Sequence, residues 1–133
     1  MPSVDTNVLV RYLVRDDARQ SAQAVACING VAAAGQAIHI TRTVTLELEW
    51  VLRSRYRFDK STVLGTLRAL LESADLSFEA EGAIEHACYL YEQGNADFAD
   101  ALHLACCTTD DALPFLTFDD KASKLAGARL AGP

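Results

Sequence analysis

Long hydrophobic runs are missing from this 133-residue chain. No stretch of about 18 apolar residues occurs, so no helical membrane span is expected. The opening MPSVDTNV sets no basic segment before a long apolar one. A secretory signal is therefore not expected, and the cytoplasm is the expected location. Cysteine is sparse: Cys27, Cys88, Cys106 and Cys107, two of them adjacent and none in a C-x-x-C pair. They read as reduced, mostly buried thiols. The histidines, His39, His86 and His103, lie far apart and lack zinc-ligand spacing. No G-x-x-x-x-G-K loop, no G-x-G-x-x-G and no G-x-S-x-G elbow occurs. A positive excess is missing too: 12 Lys and Arg stand against 18 Asp and Glu, a net charge of −6. Nucleic-acid binders usually carry a basic face, so this charge argues against a polynucleotide ligand. A cluster of catalytic carboxylates would itself account for several of those charges, and bound cations would cancel some. Basic residues do gather at Arg53, Arg55, Arg57 and Lys60 and again at Lys121 and Lys124. Taken singly they read as solvated surface charge.

What is present is a chain half apolar by composition. That suffices for a core in one domain spanning residues 1–133. No repeat, low-complexity tract or Pro-rich linker interrupts it. A short β-like start around Val4 leads into a helical stretch over residues 8–14. Asp16 and Asp17 open an Ala-rich helix that Gly35 ends. Residues 37–40 read as a strand, 43–55 and 60–73 as helices, and 76–78 as a weak strand. Helices over 79–93, stopped by Gly94 and Asn95, and over 97–108 follow. Residues 115–117 read as a strand and a short helix begins near Asp120. The Gly-rich end after Ala126 leaves a closing edge strand open. Strands alternating with helices predict an α/β fold, a central parallel sheet covered on both faces. Ligands in such folds sit beyond the carboxyl ends of the strands, where Asp5 and Asp119 fall.

Four acids carry the chemistry: Asp5 in VDTNVLVRYL, Glu47 in TLELEWVL, Asp100 in DFADALHLA and Asp119 in LTFDDK. On a helical wheel Val44, Leu48, Val51 and Leu52 form a stripe that Trp50 and Leu46 extend. Glu47 falls inside that arc and Glu49 outside it. Glu47 is therefore expected to face the interior and Glu49 to face water. A buried carboxylate needs a cation or a proton. A metal would serve, and so would Arg42 or Arg53. Asp97 and Asp100 share a face in the first turn of their helix. Asp97 serves equally as a helix cap, and His103 reads as a structural histidine or an aid to catalysis. Hard divalent cations such as Mg²⁺ and Mn²⁺ prefer oxygen ligands of this kind.

In this order, the four motifs resemble the PIN-domain ribonucleases, and most closely the VapC toxins of toxin–antitoxin pairs. The resemblance covers nearly the whole chain. It implies a three-layer α/β/α fold around a central parallel sheet. It also implies an Mg²⁺- or Mn²⁺-dependent endoribonuclease, a homodimer, and a small VapB-like antitoxin that blocks the site. The metal-binding acids it implies are Asp5, Glu47, Asp100 and Asp119, with Asp97 a frequent extra acid. Asn7 and Thr117 fall on polar positions that line such sites, and His103 replaces the usual small or apolar residue. Two other readings compete. One is a haloacid-dehalogenase-like phosphatase, although its second Asp is Asn7 here. The other is a catalytically silent PIN-like binding module.

Overall fold

Aspartates start helices throughout the chain. The computed structural model describes residues 1–132, which divide into two units, Met1–Glu79 and residues 80–132. In the first unit Asp5 caps α1 (Thr6–Leu13), Asp17 caps α2 (Ala18–Ala33), Thr41 caps α3 (Arg42–Ser54) and Asp59 caps α4 (Lys60–Glu72). Each side chain accepts a hydrogen bond from a backbone N–H three residues on, which satisfies a donor the helix leaves open. Helix α2 ends as its glycine predicts. Gly35 turns to φ +77°, its N–H bonds Ala32 O, and the N–H of Gln36 bonds Val31 O. That pair of bonds is a Schellman cap, which requires the left-handed backbone that glycine adopts at least cost.

Strands β1 (Ile38–Ile40) and β2 (Leu76–Phe78) pair in parallel, Ile38 opposite Leu76 and Ile40 opposite Phe78. Helices α3 and α4 form the crossover that a parallel pair needs. The strand expected around Val4 shrinks to one bridge, Ser3 to His39. Pro2 accepts from His39 N but has no N–H to return, and Asp5 already caps α1, so the ladder has no room to grow. Leu9, Ile28, Ile38, Ile40, Leu48, Leu52, Val63 and Leu67 form the core of this unit.

The second unit holds α5 (Glu81–Gln93), α6 (Phe98–Thr109), β3 (Phe115–Thr117), α7 (Asp120–Ser123) and β4 (Ala128–Leu130). Ala83, Ile84, Ala87 and Cys88 of α5 are buried, as are Phe98, Ala101, Leu102 and Leu104 of α6. Tyr91 meets Phe98 edge to face, with ring centroids 5.6 Å apart. Strand β4 does form and pairs in parallel with β3, Phe115 opposite Ala128. Gly127, at φ +93°, supplies the turn into it. A Cβ there would come within 3.4 Å of Leu113. The expected parallel pairing thus appears as two small two-stranded sheets, β1–β2 and β3–β4.

The thiols differ from expectation. Among the described residues none of the four is in a disulfide, but only Cys88 is buried; Cys106 and Cys107 are half-buried and Cys27 is exposed. Helix α2 buries the single stripe Ser21, Ala24 and Ile28, and Cys27 lies off it. Among the described residues, no helix is long and apolar enough to cross a membrane.

Candidate active site

Asp5 follows the Ser3–His39 bridge and opens α1, with one carboxylate oxygen accepting from Val8 N at 3.0 Å. It lines a cleft of about 250 Å³ together with Thr6, Asn7, Glu47 and Arg55. Thr6, itself buried, donates its hydroxyl hydrogen to Glu47 Oε1. That bond fixes the orientation of the carboxylate from the neighbouring helix. Of the acids and polar groups expected in the site, Asp5, Glu47 and Asn7 do meet in this cleft.

The helical wheel reversed the two glutamates of α3. The buried stripe is Thr45, Leu48, Glu49 and Leu52, spaced i, i+3, i+4 and i+7. Glu49 is 2 % exposed, whereas Glu47, on the cleft wall, is exposed, as is Trp50 elsewhere on the helix. The burial of Thr45 moves the stripe: its hydroxyl donates to Thr41 O at 3.1 Å, so a residue counted as polar enters the core satisfied. Glu49 in turn accepts from Arg53 Nε at 2.7 Å. The arginine considered as a partner for Glu47 therefore pairs with Glu49 instead, and Arg42 bonds Glu79.

Arg55 escaped sequence reasoning as a site residue. Glu47, Val51 and Arg55 stand at i, i+4 and i+8, one row of a helix, and all three line the cleft. That spacing was the available signal.

The second unit carries the other acids. Asp97 occupies the cap position of α6, yet its side chain makes no capping bond. The cap reading of Asp97 therefore loses its physical basis. Asp100 sits in the first turn of α6, half-buried. Its carboxyl is held above the usual range, first by desolvation and then by the negative charge of Asp119, with Asp97 adding to the effect and His103 opposing it. Asp97, Asp100, Asp119 and His103 thus share one electrostatic neighbourhood. Asp119 caps α7, accepting from Ala122 N at 2.8 Å, while its own N–H bonds Thr117 Oγ1 at 3.0 Å. Thr117 acts by fixing the backbone of Asp119. His103 lies exposed with its ring tilted over Phe115, centroids 6.3 Å apart.

The PIN domain model matches residues 3–128. The chain belongs to the PIN-domain family. No curated protein matches it. PIN domains are generally nucleases, hydrolases that bind nucleic acid and generally use a divalent metal. The donors of this PIN domain fit such an ion in kind, being carboxylates, the hard oxygen ligands that Mg²⁺ and Mn²⁺ prefer. The Asp100 carboxyl is raised first by its own desolvation and then by the charge of Asp119, and a bound cation would oppose both. Among the described residues no three His, Cys, Asp or Glu side chains stand close enough to cage a metal ion. Asp5 and Glu47 belong to the first unit, and Asp97, Asp100 and Asp119 to the second.

Proposed function

We propose that this PIN domain, acting as one nuclease domain over residues 1–133, is a metal-dependent endoribonuclease and the toxin of a VapBC-like type II pair. The observation that carries the reading is the family match over residues 3–128, which contains every acid of the four motifs. Asp5, Glu47, Asp100 and Asp119 serve as ligands of Mg²⁺ or Mn²⁺ in this reading, and Asp97 supplements them. When bound, the ion activates a water and stabilises charge on the phosphodiester during in-line displacement. The chain's own contribution is positioning. Thr6 orients Glu47, and Thr117 fixes Asp119. Arg55 sets a guanidinium beside the carboxylates of the first cleft, where it can orient a phosphate oxygen. The reading includes a central sheet in three layers, a homodimer in the cytoplasm, and a small antitoxin. An acidic cleft attracts cations, so the antitoxin inserts an Arg or Lys that pairs with these carboxylates.

RNA cleavage in vitro tests the reading. The protein should cut RNA with Mg²⁺ or Mn²⁺ and stop with EDTA, and Asp5→Ala should abolish cutting. A protein that binds RNA without cleaving it under any divalent ion would instead be a silent binding module. Undiminished cleavage by Asp5→Ala would sink the site assignment.

A further inference from the structure

Charge is divided unevenly along the chain. Residues 1–79 carry nine basic and nine acidic side chains, and residues 80–133 carry three basic and nine acidic. The whole net charge of −6 therefore resides in the second part. A substrate with a phosphate backbone needs positive charge near the acids it must approach. Of the three basic residues there, two, Lys121 and Lys124, line one cleft of about 320 Å³. Gln93 and Asn95 add amide groups to its wall, and Leu90 and Leu125 supply apolar surface. Lys121 lies in α7 and Lys124 is its C-cap, three residues on, a spacing that puts both on one face. Asp119 caps the same helix, so one short element fixes the lysines relative to an acid of the proposed site.

We propose that this cleft is a backbone subsite for single-stranded RNA, in which Lys121 and Lys124 contact phosphates flanking the cleaved bond. The inference rests on the nuclease reading above and adds where the substrate is held. Gln93 and Asn95 have the donors to reach sugar or phosphate oxygens. A purely structural role is the competing explanation, because the cleft also takes in the end of α5, where lysines complement the helix dipole. The two roles separate by readout. A structural role moves the melting temperature, whereas a substrate role moves RNA affinity and its salt dependence.

The experiment uses the full chain with a short single-stranded RNA. Binding is measured in EDTA across a salt series for wild type, K121A/K124A and K121R/K124R. Cleavage kinetics with Mn²⁺ and thermal melts accompany it. Each phosphate contact on single-stranded nucleic acid contributes a slope of about −0.7 in log affinity against log salt. Losing two contacts should flatten the slope by about 1.4. The wild-type advantage over K121A/K124A should then shrink about sevenfold between roughly 50 and 200 mM salt. KM should rise while kcat is kept, melting should be unchanged, and K121R/K124R should restore binding. If wild type cleaves RNA and K121A/K124A matches its KM and salt slope, the subsite is overturned and the nuclease reading stands. That outcome would suit a cleft for an acidic peptide. If wild type neither binds nor cleaves RNA, both readings fall.

Discussion

Replacing Glu49 by Ala should destabilise the protein and spare its chemistry, whereas replacing Glu47 should abolish the chemistry at a smaller cost in stability. Glu49 is 2 % exposed and accepts a charge-assisted bond from Arg53 at 2.7 Å. Hydrogen bonds to charged groups contribute about 1.5–3 kcal/mol. The Arg53 side chain is 46 % exposed and can rehydrate when its partner is lost. The expected cost of Glu49→Ala is therefore in the lower part of that range, about 2 kcal/mol. An unfolding entropy of about 2.1 cal/mol/K per residue converts this to a fall of about 7 °C in Tm. Glu49→Gln keeps an acceptor and should lose about half as much. Glu47 is exposed, and its removal costs one bond from Thr6, about 0.5–1.5 kcal/mol. Glu47→Ala should nonetheless abolish metal-dependent cleavage, while Glu49→Ala retains full activity per folded molecule. Thermal melts and RNA cleavage on both variants provide the check. A Glu49→Ala protein that melts with wild type, or that folds normally and cannot cleave, would refute the reasoning.

Four further outcomes are expected. Asp100→Asn removes a carboxylate that is costly to ionise, so it should melt at or above wild type in EDTA and lose activity. Wild type should gain from Mn²⁺ about 2.7 kcal/mol at a hundredfold excess over the dissociation constant, or about 10 °C; no gain, with a lower Asp100→Asn melt in EDTA, would leave these acids as salt-bridge partners only. Asp97 makes no capping bond, so Asp97→Ala should keep its Tm while cleavage falls, and a lowered Tm with intact cleavage would restore a structural role. Acid should weaken the fold through Asp59 and Glu79, whose carboxyls are held low by the backbone N–H groups of Thr62 and Arg42 respectively. A depressed folded pKa gives stability that is present above the unfolded value, near pH 4, and is lost as pH falls through the folded value. Denaturant titrations from pH 7 down to about 3 should show this decline, shallower in Asp59→Ala than in wild type.

Local signals read well in this sequence because they are short-range. Asp17 and Gly35 bracket α2 through a cap and a left-handed turn, each set by one residue type. Strands β1, β2 and β3 were legible as apolar runs between helical patterns. Strand β4 was harder, because Ala128–Leu130 is short and its formation depends on β3 alongside it. The wheel failed on α3 because it assigns burial by residue type. Thr45 hides its hydroxyl on Thr41 and Glu49 hides its charge on Arg53, and neither compensation shows in an apolar stripe. The four acids were legible as motifs. Thr6, which orients Glu47, comes from 41 residues away and leaves no local signal, whereas Thr117, whose hydroxyl accepts from the Asp119 N–H, is a near neighbour in sequence.

Asp5 and Asp119 each hold a helix start, and each is also a proposed metal ligand. Alanine at either position would remove a helix cap, at a cost of about 0.5–2 kcal/mol, along with the chemistry. Asparagine caps about as well as aspartate and lacks the charge. Asp5→Asn and Asp119→Asn should accordingly yield inert proteins of wild-type shape. On the toxin reading proposed above, a host cell could then accumulate the inert variants, and the same variants could trap an uncut RNA for crystallisation.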